Sequence, residues 1–330
     1  MKPEHAKFYA ALCTAVTALA SAPATAQTRS DYPNRPVRVI VPQAAGSGAD
    51  VTARIVAQKL SEAWGQQFIV DNRPGANGII GLEAAAKSKP DGYTLVIGVP
   101  SSLTMNPYVY KTLPYDTQRD FAPITQTSTN TFGLVVNPAL PVKTVKDLVT
   151  LAKARPGEMI FGSFGIGNQT HLAGELFALQ TGIKMLHVPY KGETPAVVDL
   201  LSGQVALMFS PMLGVVPHIK AGKLKLMATC GTRRAVAFPD VPSMTELGYK
   251  TVEITGWIGL LAPAGTPRDI IDRLQKETAS RLLAPETRDS MIKQGAEPVG
   301  STPEQFAAFI KSETAKWSQV IRAAGLEASQ

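Results

Sequence analysis

The chain has 330 residues, 45% hydrophobic and 18% charged. That apolar content excludes a disordered chain and suffices for two compact units of roughly 150 residues each. The net charge of +7 arises without a run of five or more Lys and Arg, so no nucleic-acid surface is indicated, and two cysteines, Cys13 and Cys230, exclude a disulfide framework and a Cys-rich zinc site.

At the N-terminus, Lys2 and Lys7 precede a mostly apolar stretch from Phe8 to Ala20 that closes in Ala24-Thr25-Ala26. A basic start, an apolar centre and an A-x-A end predict a secretory signal peptide over residues 1–26. The stretch is shorter than the ~20 residues that span a bilayer; a retained anchor is the alternative. Cleavage removes Lys2, Lys7 and Glu4, taking the charge from +7 to +6, and removes Cys13. Cys230, which ends the apolar run from Leu224, then reads as a buried, unreactive thiol.

Val37–Val41 is β-branched and leads into Pro42-Gln43-Ala44-Ala45-Gly46-Ser47-Gly48. A helix follows, with Val51, Ile55, Val56 and Leu60 on one stripe and Gly65 at its end. Phe68–Val70 and Thr94–Val99 read as strands, with Pro90-Asp91-Gly92 as a turn. The pattern recurs from Met159–Phe161 through Gly162-Ser163-Phe164-Gly165-Ile166-Gly167-Asn168 into a helix bearing Leu172, Leu176 and Leu179 that stops at Gly182. Met185–Val188 is strand-like, and Thr194-Pro195 suits the cap and first turn of a helix to Leu201. Val205–Phe209, Leu224–Ala228 and Thr251–Leu261 read as strands, then Arg268–Leu283 and Pro303–Ala323 as helices. Ser301 or Thr302 completes a capping box with Glu304 or Gln305. Alternation of strand and helix predicts a mostly parallel α/β sheet with helices on both faces.

Each half thus presents a helix N-terminus behind a loop of small residues. First-turn N–H groups lack intrahelical partners and carry about half a positive charge, so the two loops predict a pair of anion cradles. Simple connecting turns are the alternative. Neither loop completes a dinucleotide fingerprint, since Val51 and Thr170 stand where the third glycine belongs, and neither carries the P-loop Lys. Asp50 is a helix cap or a ligand acceptor, with capping favoured. Ser101 and Ser210 follow strands at the edge where open α/β sheets bind ligands, or are ordinary loop serines. Lys191 points to the cleft or to solvent. His171 lies in the first turn of the second helix, with Glu175 as a surface pair. His187 reads as half-buried in a strand, and neither H-E-x-x-H nor G-x-S-x-G occurs.

At these loops the sequence resembles the substrate-binding receptors of tripartite tricarboxylate transporters, the Bug-type periplasmic receptors. The matching segments are Tyr32–Pro36, the Pro42–Asp50 loop, Asp71–Gly78, Pro90–Thr94, Asp120–Ile124, His187–Gly192, Pro239–Pro242 and Leu261–Pro267. They run in order over nearly the whole chain after residue 26. The resemblance implies a two-lobed, Venus-flytrap (type II) periplasmic-binding-protein fold, each lobe a mixed sheet flanked by helices. Lobe 1 is expected over 27–127 with a return over 243–330, and lobe 2 over 128–242. It also implies a monomeric receptor that closes on a small organic acid (a di- or tricarboxylate or an aromatic carboxylate) and delivers it to membrane permease subunits. No cofactor, metal, nucleic acid or catalytic residue is expected.

Ligand contacts are expected from Gln43, Ala44, Ala45, Gly46, Ser47, Gly48 and Asp50 in the first loop. The second loop is expected to supply Ser163, Gly165, Gly167, Asn168, Thr170 and His171, with Ser101, Tyr190 and Ser210 beside them. Two departures from the family pattern stand out: Gln43 with Gly46-Ser47 where an aromatic and a Gly-Gly pair are common, and Ser210 where many relatives carry Asp. The second predicts preference for an acid without an amine. The alternatives are a receptor for a membrane kinase and a periplasmic Ser/His hydrolase.

Overall fold

Short apolar runs bounded by Gly, Pro or Asn form the strands, and amphipathic stretches between them form the helices. The computed structural model describes residues 31–323 and 325–327; the expected signal peptide and Cys13 lie outside the described residues. From Pro33 onward the first elements are β1 Val37–Val41, α1 Gly48–Trp64, β2 Phe68–Asn72, α2 Ile79–Ala86, β3 Thr94–Gly98, α3 Asn106–Val109 and β4 Phe121–Val136. There follow α4 Val145–Ala154, β5 Met159–Ser163, α5 Gln169–Thr181, β6 Met185–Pro189, α6 Glu193–Ser202, β7 Leu207–Pro211, α7 Met212–Lys220 and β8 Lys225–Thr229. The last are β9 Thr255–Pro263, α8 Arg268–Leu283, α9 Pro285–Lys293, β10 Ala296–Pro298 and α10 Pro303–Ala323.

The strands form one ladder in the order β2-β1-β3-β9-β4-β7-β5-β6, with β10 and β8 also on β4. Pairing is parallel only between β1 and its neighbours and between β5 and its neighbours. Every pair made by β4 or β9 is antiparallel. The mostly parallel expectation therefore holds for the outer strands, and the architecture is the mixed-sheet α/β fold that the resemblance implied. β4 escaped the sequence reading because Pro123 and the polar run Thr125–Thr131 hide any apolar alternation.

β4 belongs to two sheets. Phe121–Thr131 pair with β9, whereas Phe132–Val136 pair with β7 and β8. A second strand crosses beside it: Ile254 N–H bonds the Cys230 carbonyl, and Thr255 opposes Thr131. The first sheet packs Ile40, Leu82, Val96, Trp257, Leu261 and Phe306 together. The second has a core on each face, one holding Leu134, Phe161, Phe177, Phe209 and Ile254 and the other Val135, Phe164, Leu200, Met208 and Leu226.

Local chemistry sets the helices. Ser47 caps α1 by accepting from the Asp50 N–H, and Gly65 ends it at φ 67°, a left-handed conformation that glycine adopts without strain. The buried stripe is Ala49, Thr52, Ala53, Val56, Ala57 and Leu60, with Val51 and Ile55 at its margin. In α5 the buried face is turned away from Leu179, which is 81% exposed, and toward Phe177. The reason is Gly174, where a Cβ would stand 2.3 Å from the Phe161 ring. Thr302 caps α10 in a box with Gln305, while Ser301 accepts from the Gln126 N–H.

α10 also fixes an aromatic residue of β9. The buried Glu313 carboxylate accepts from both the Trp257 and Trp317 indole N–H groups, at 3.2 and 3.0 Å. Glu313→Ala leaves two buried donors unmatched, each costing about 1–3 kcal/mol. A loss of about 2–4 kcal/mol in urea unfolding is expected, with Glu313→Gln milder because an amide oxygen still accepts.

Candidate functional site

The C-terminal ends of β1 and β5 deliver the two small-residue loops to one cleft of about 730 Å³, counted to its open mouth. From the first sheet it is lined by Gln43, Gly48, Ala49, Asn77, Ser101 and Trp257. From the second come Phe132, Phe164, Asn168, Gln169, Thr170, Lys191 and Glu193, with Asn130 at the crossing strand. Of the expected contacts, the structure brings Gln43, Gly48, Ser101, Asn168 and Thr170 to this surface.

The rest of the first loop braces itself. Asp50, 2% exposed, accepts from the Gly46 N–H, Arg54 and Asn72, each at 2.9 Å. Burial raises its pKa, but the bonds from Arg54, Gly46 and Asn72 outweigh that and hold it below the usual value. Its oxygens are thus fully engaged inside the protein. Ser47, fully buried, spends its hydroxyl on the cap. Ala44 accepts from the Ser47 N–H, and the Ala45 carbonyl accepts from the Thr194 hydroxyl of the other sheet at 2.9 Å. Thr194 is therefore not the cap of α6, which starts at Glu193 behind Gly192 without a side-chain cap.

The second loop does the same. Asn168 Oδ1 caps α5 by accepting from the Thr170 and His171 N–H groups. Phe164 N–H bonds Thr170 Oγ1, and Gly167 N–H bonds His171 Nδ1. The glycines serve the opposite sheet: a Cβ on Gly165 would stand 2.4 Å from Asn77 Oδ1, and one on Gly167 2.7 Å from Val109. Asn77 reaches across to donate to the Ile166 carbonyl at 2.9 Å. Ala44, Ala45, Gly46, Ser47, Asp50, Gly165 and Gly167 thus stand outside the cleft lining as the frame behind it.

Ser163, His171, Tyr190 and Ser210 also stand outside the cleft lining. Ser163 is fully buried, with Oγ 2.6 Å from His187 Nε2. The His187 ring stacks on His171 with centroids 4.0 Å apart and on Phe161 at 4.8 Å. His171 turns Nε2 toward Glu175, 3.5 Å away. Tyr190 donates its hydroxyl to Asp199. Ser210, fully buried in β7, bonds the Pro211 carbonyl, so the residue expected to discriminate against amines does not line the cleft.

Among the described residues, each helix leaves one first-turn amide without a protein acceptor: Ala49 on α1 and Gln169 on α5. Both residues line the cleft. Lys191 also lines it, exposed and without an ion pair among the described residues. Phe132, Phe164 and Trp257 supply an apolar wall. Sequence reasoning missed these aromatics and Glu193. The signals were a tryptophan between two glycines in the run read as Thr251–Leu261, and a carboxylate directly after the Tyr190-Lys191-Gly192 motif. No group of three or more His, Cys, Asp or Glu converges among the described residues.

Two mixed sheets joined by shared strands, with a cleft at the helix N-termini, make the fold of a solute-binding receptor. Residues 52–326 match the family described as tripartite tricarboxylate transporter family receptor, and the chain belongs to that family. It is similar to BugT of Bordetella pertussis, with 40% identity over 94% of each chain. Rpa4515 of R. palustris, whose structure is described with adipate, shares 35% identity at a TM-score of 0.87 over 89% of this chain and 98% of that one. MatC of Rhodopseudomonas palustris, with bound malate, shares 26% identity at a TM-score of 0.82 over 88% and 100%.

The histidine stack behind the second loop makes folding pH-dependent. Burial, reinforced by His171, pushes the His187 pKa down from 6.5 to about 4. The folded protein keeps this ring neutral where the unfolded chain protonates it, so its contribution is full above about pH 6.5 and is lost as pH falls toward about 4. Partial exposure screens the effect to about 1 kcal/mol. Wild type is expected to lose that much more stability than His187→Gln between about pH 6.5 and about pH 4 in denaturant titrations.

Proposed function

We propose that this protein is an extracytoplasmic receptor that captures a small carboxylate in the cleft and hands it to the permease subunits of a tripartite transporter. The carrying observation is the pair of unmatched amides, Ala49 and Gln169, at helix N-termini from opposite sheets in one cleft. A helix N-terminus favours an anion without any group that must titrate. Family membership and the adipate- and malate-bound relatives support the ligand class. The A-x-A signal supports a periplasmic location after cleavage at Ala26.

The lobes divide, in this reading, at 131/132 in β4 and at 254/255 before β9. The later second crossing is supported by Met244, Val252 and Ile254, which pack with Phe132 and Phe161. A ligand touching both lobes favours the closed arrangement, because only there are both sets of contacts made. Binding without catalysis accords with the Ser163–His187 pair, in which Ser163 is fully buried, His187 half-buried, and no acid is a hydrogen-bond partner among the described residues.

A thermal-shift screen of mono-, di- and tricarboxylates on ligand-stripped protein tests the class, because binding to the native state raises Tm. Stabilisation by neutral sugars or amines alone, with no response to acids, overturns it. The amide itself is tested by comparing Gln169→Pro with Gln169→Ala. Both remove the side chain, but only proline removes the N–H. Asn168, at φ −88° and ψ 173°, already has the extended backbone that precedes a proline, and the first helical position accepts one. Calorimetry is expected to show the best acid binding about tenfold more weakly to Gln169→Pro than to Gln169→Ala.

A further inference from the structure

Glu193 opens α6 and is 2% exposed. Its Oε2 accepts the Gly48 N–H of α1 across the cleft at 2.9 Å. Its Oε1 has no partner and rests over Gly214 of α7, where a Cβ would stand 1.8 Å away. The protein therefore places a carboxylate of its own at the N-terminus of α1, beside the open Ala49 amide. Lys191 and Glu193 are the two ionisable side chains that line the cleft among the described residues. The rest of the wall is amide, hydroxyl or apolar, with Phe132, Phe164 and Trp257 providing the broadest surfaces.

A ligand carboxylate at the Gln169 amide meets Lys191 on its own side of the cleft. A second carboxylate at the α1 end would sit against Glu193, and two carboxylates that close in a dry site do not both stay ionised. We propose that Glu193 is a specificity-determining residue that restricts the ligand to acids with one carboxylate on an apolar or aromatic body. The inference rests on the carboxylate reading above. The Ala49 amide then serves a hydroxyl, carbonyl or other neutral acceptor of the ligand.

The test is calorimetry of ligand-stripped protein with two matched pairs: hexanoate against adipate, and benzoate against terephthalate. Wild type is expected to bind each monocarboxylate at least about tenfold more tightly than its dicarboxylate. Glu193→Gln keeps an acceptor for Gly48 N–H and is expected to narrow that gap by about tenfold, with hexanoate unchanged within about threefold. A wild-type preference for the dicarboxylates, or a gap unchanged in Glu193→Gln, overturns the role of Glu193 and leaves the carboxylate reading standing. Failure of all four acids to bind wild type overturns both.

Should Glu193→Gln not fold, wild type is titrated at about pH 6 and about pH 8, both above the ordinary carboxylate range of about 4. Burial holds the Glu193 pKa up at about 7, so adipate is expected to tighten at the lower pH while hexanoate does not. An adipate-to-hexanoate ratio independent of pH overturns the proposal. The other charged groups on the packed elements are Asp50 and Arg54 of α1, which pair with each other, Lys59 and Glu62 farther along α1, which also pair, and His218 and Lys220 in the last turn of α7. Asp199 of α6 holds Tyr190, and Lys191 precedes the helix.

Discussion

One strand held in two sheets is the constraint from which the cleft follows. Because Phe121–Thr131 are laddered to β9 and Phe132–Val136 to β7 and β8, neither sheet can slide past the other. Under the proposed division, bending is left to 131/132 and to the neighbouring crossing at 254/255. The C-terminal ends of β1 and β5 then have to face one another, which brings the N-termini of α1 and α5 to a common space. Asn130 and Phe132 stand on either side of the joint and line that space. A molecule bound there touches both sides of the bend, so its contact energy acts directly on the angle between the sheets.

The loops show how little of a glycine-rich turn is left for a ligand. Buried backbone N–H groups must find acceptors, and here Asp50, Ser47, Asn168, Thr170 and His171 supply them. Two of the glycines serve close approach between sheets, as Asn77 and Val109 occupy the space their missing Cβ atoms leave. The residue economy therefore builds a rigid, preorganised rim. It leaves one amide per helix for recognition, and little motion is required of the rim itself when a ligand arrives.

Strands and helices with strong periodicity were legible: β1, α1, β3, α8 and α10 fall within a residue or so of their expected bounds, apart from the earlier start of α1. β4, the strand that organises everything else, was not, because its polar centre is satisfied by long-range pairing that no local window reports. The loops that carry the site were legible as places, yet the direction of individual side chains was not. Asp50 and Ser163 are of the right type at the right spacing, and tertiary bonds turn them inward. Trp257 and Glu193 work in the cleft only because α10 and α1, far away in sequence, meet them there.

The bonds that bridge the cleft also bear on how far it stays shut by itself. Five cross between the two sides among the described residues: Gly48 to Glu193, Thr194 to Ala45, Asn77 to Ile166, Gln169 to Thr255 and Lys220 to Lys293. At about 0.5–1.5 kcal/mol each, they contribute roughly 3–7 kcal/mol to closure. Against them stands the Glu193 carboxylate, buried with one oxygen unmatched, a cost of about 1–3 kcal/mol or more. That cost offsets part of what the bonds contribute and so weakens the preference for the bridged arrangement. Shifting such an equilibrium from mostly open to mostly closed takes about 5 kcal/mol of differential binding. One charge-assisted bond at Gln169, one neutral bond at Ala49 and an apolar body against Trp257 are together of that size. The same carboxylate that narrows the choice of ligand thus weakens the tendency of the empty receptor to close on its own.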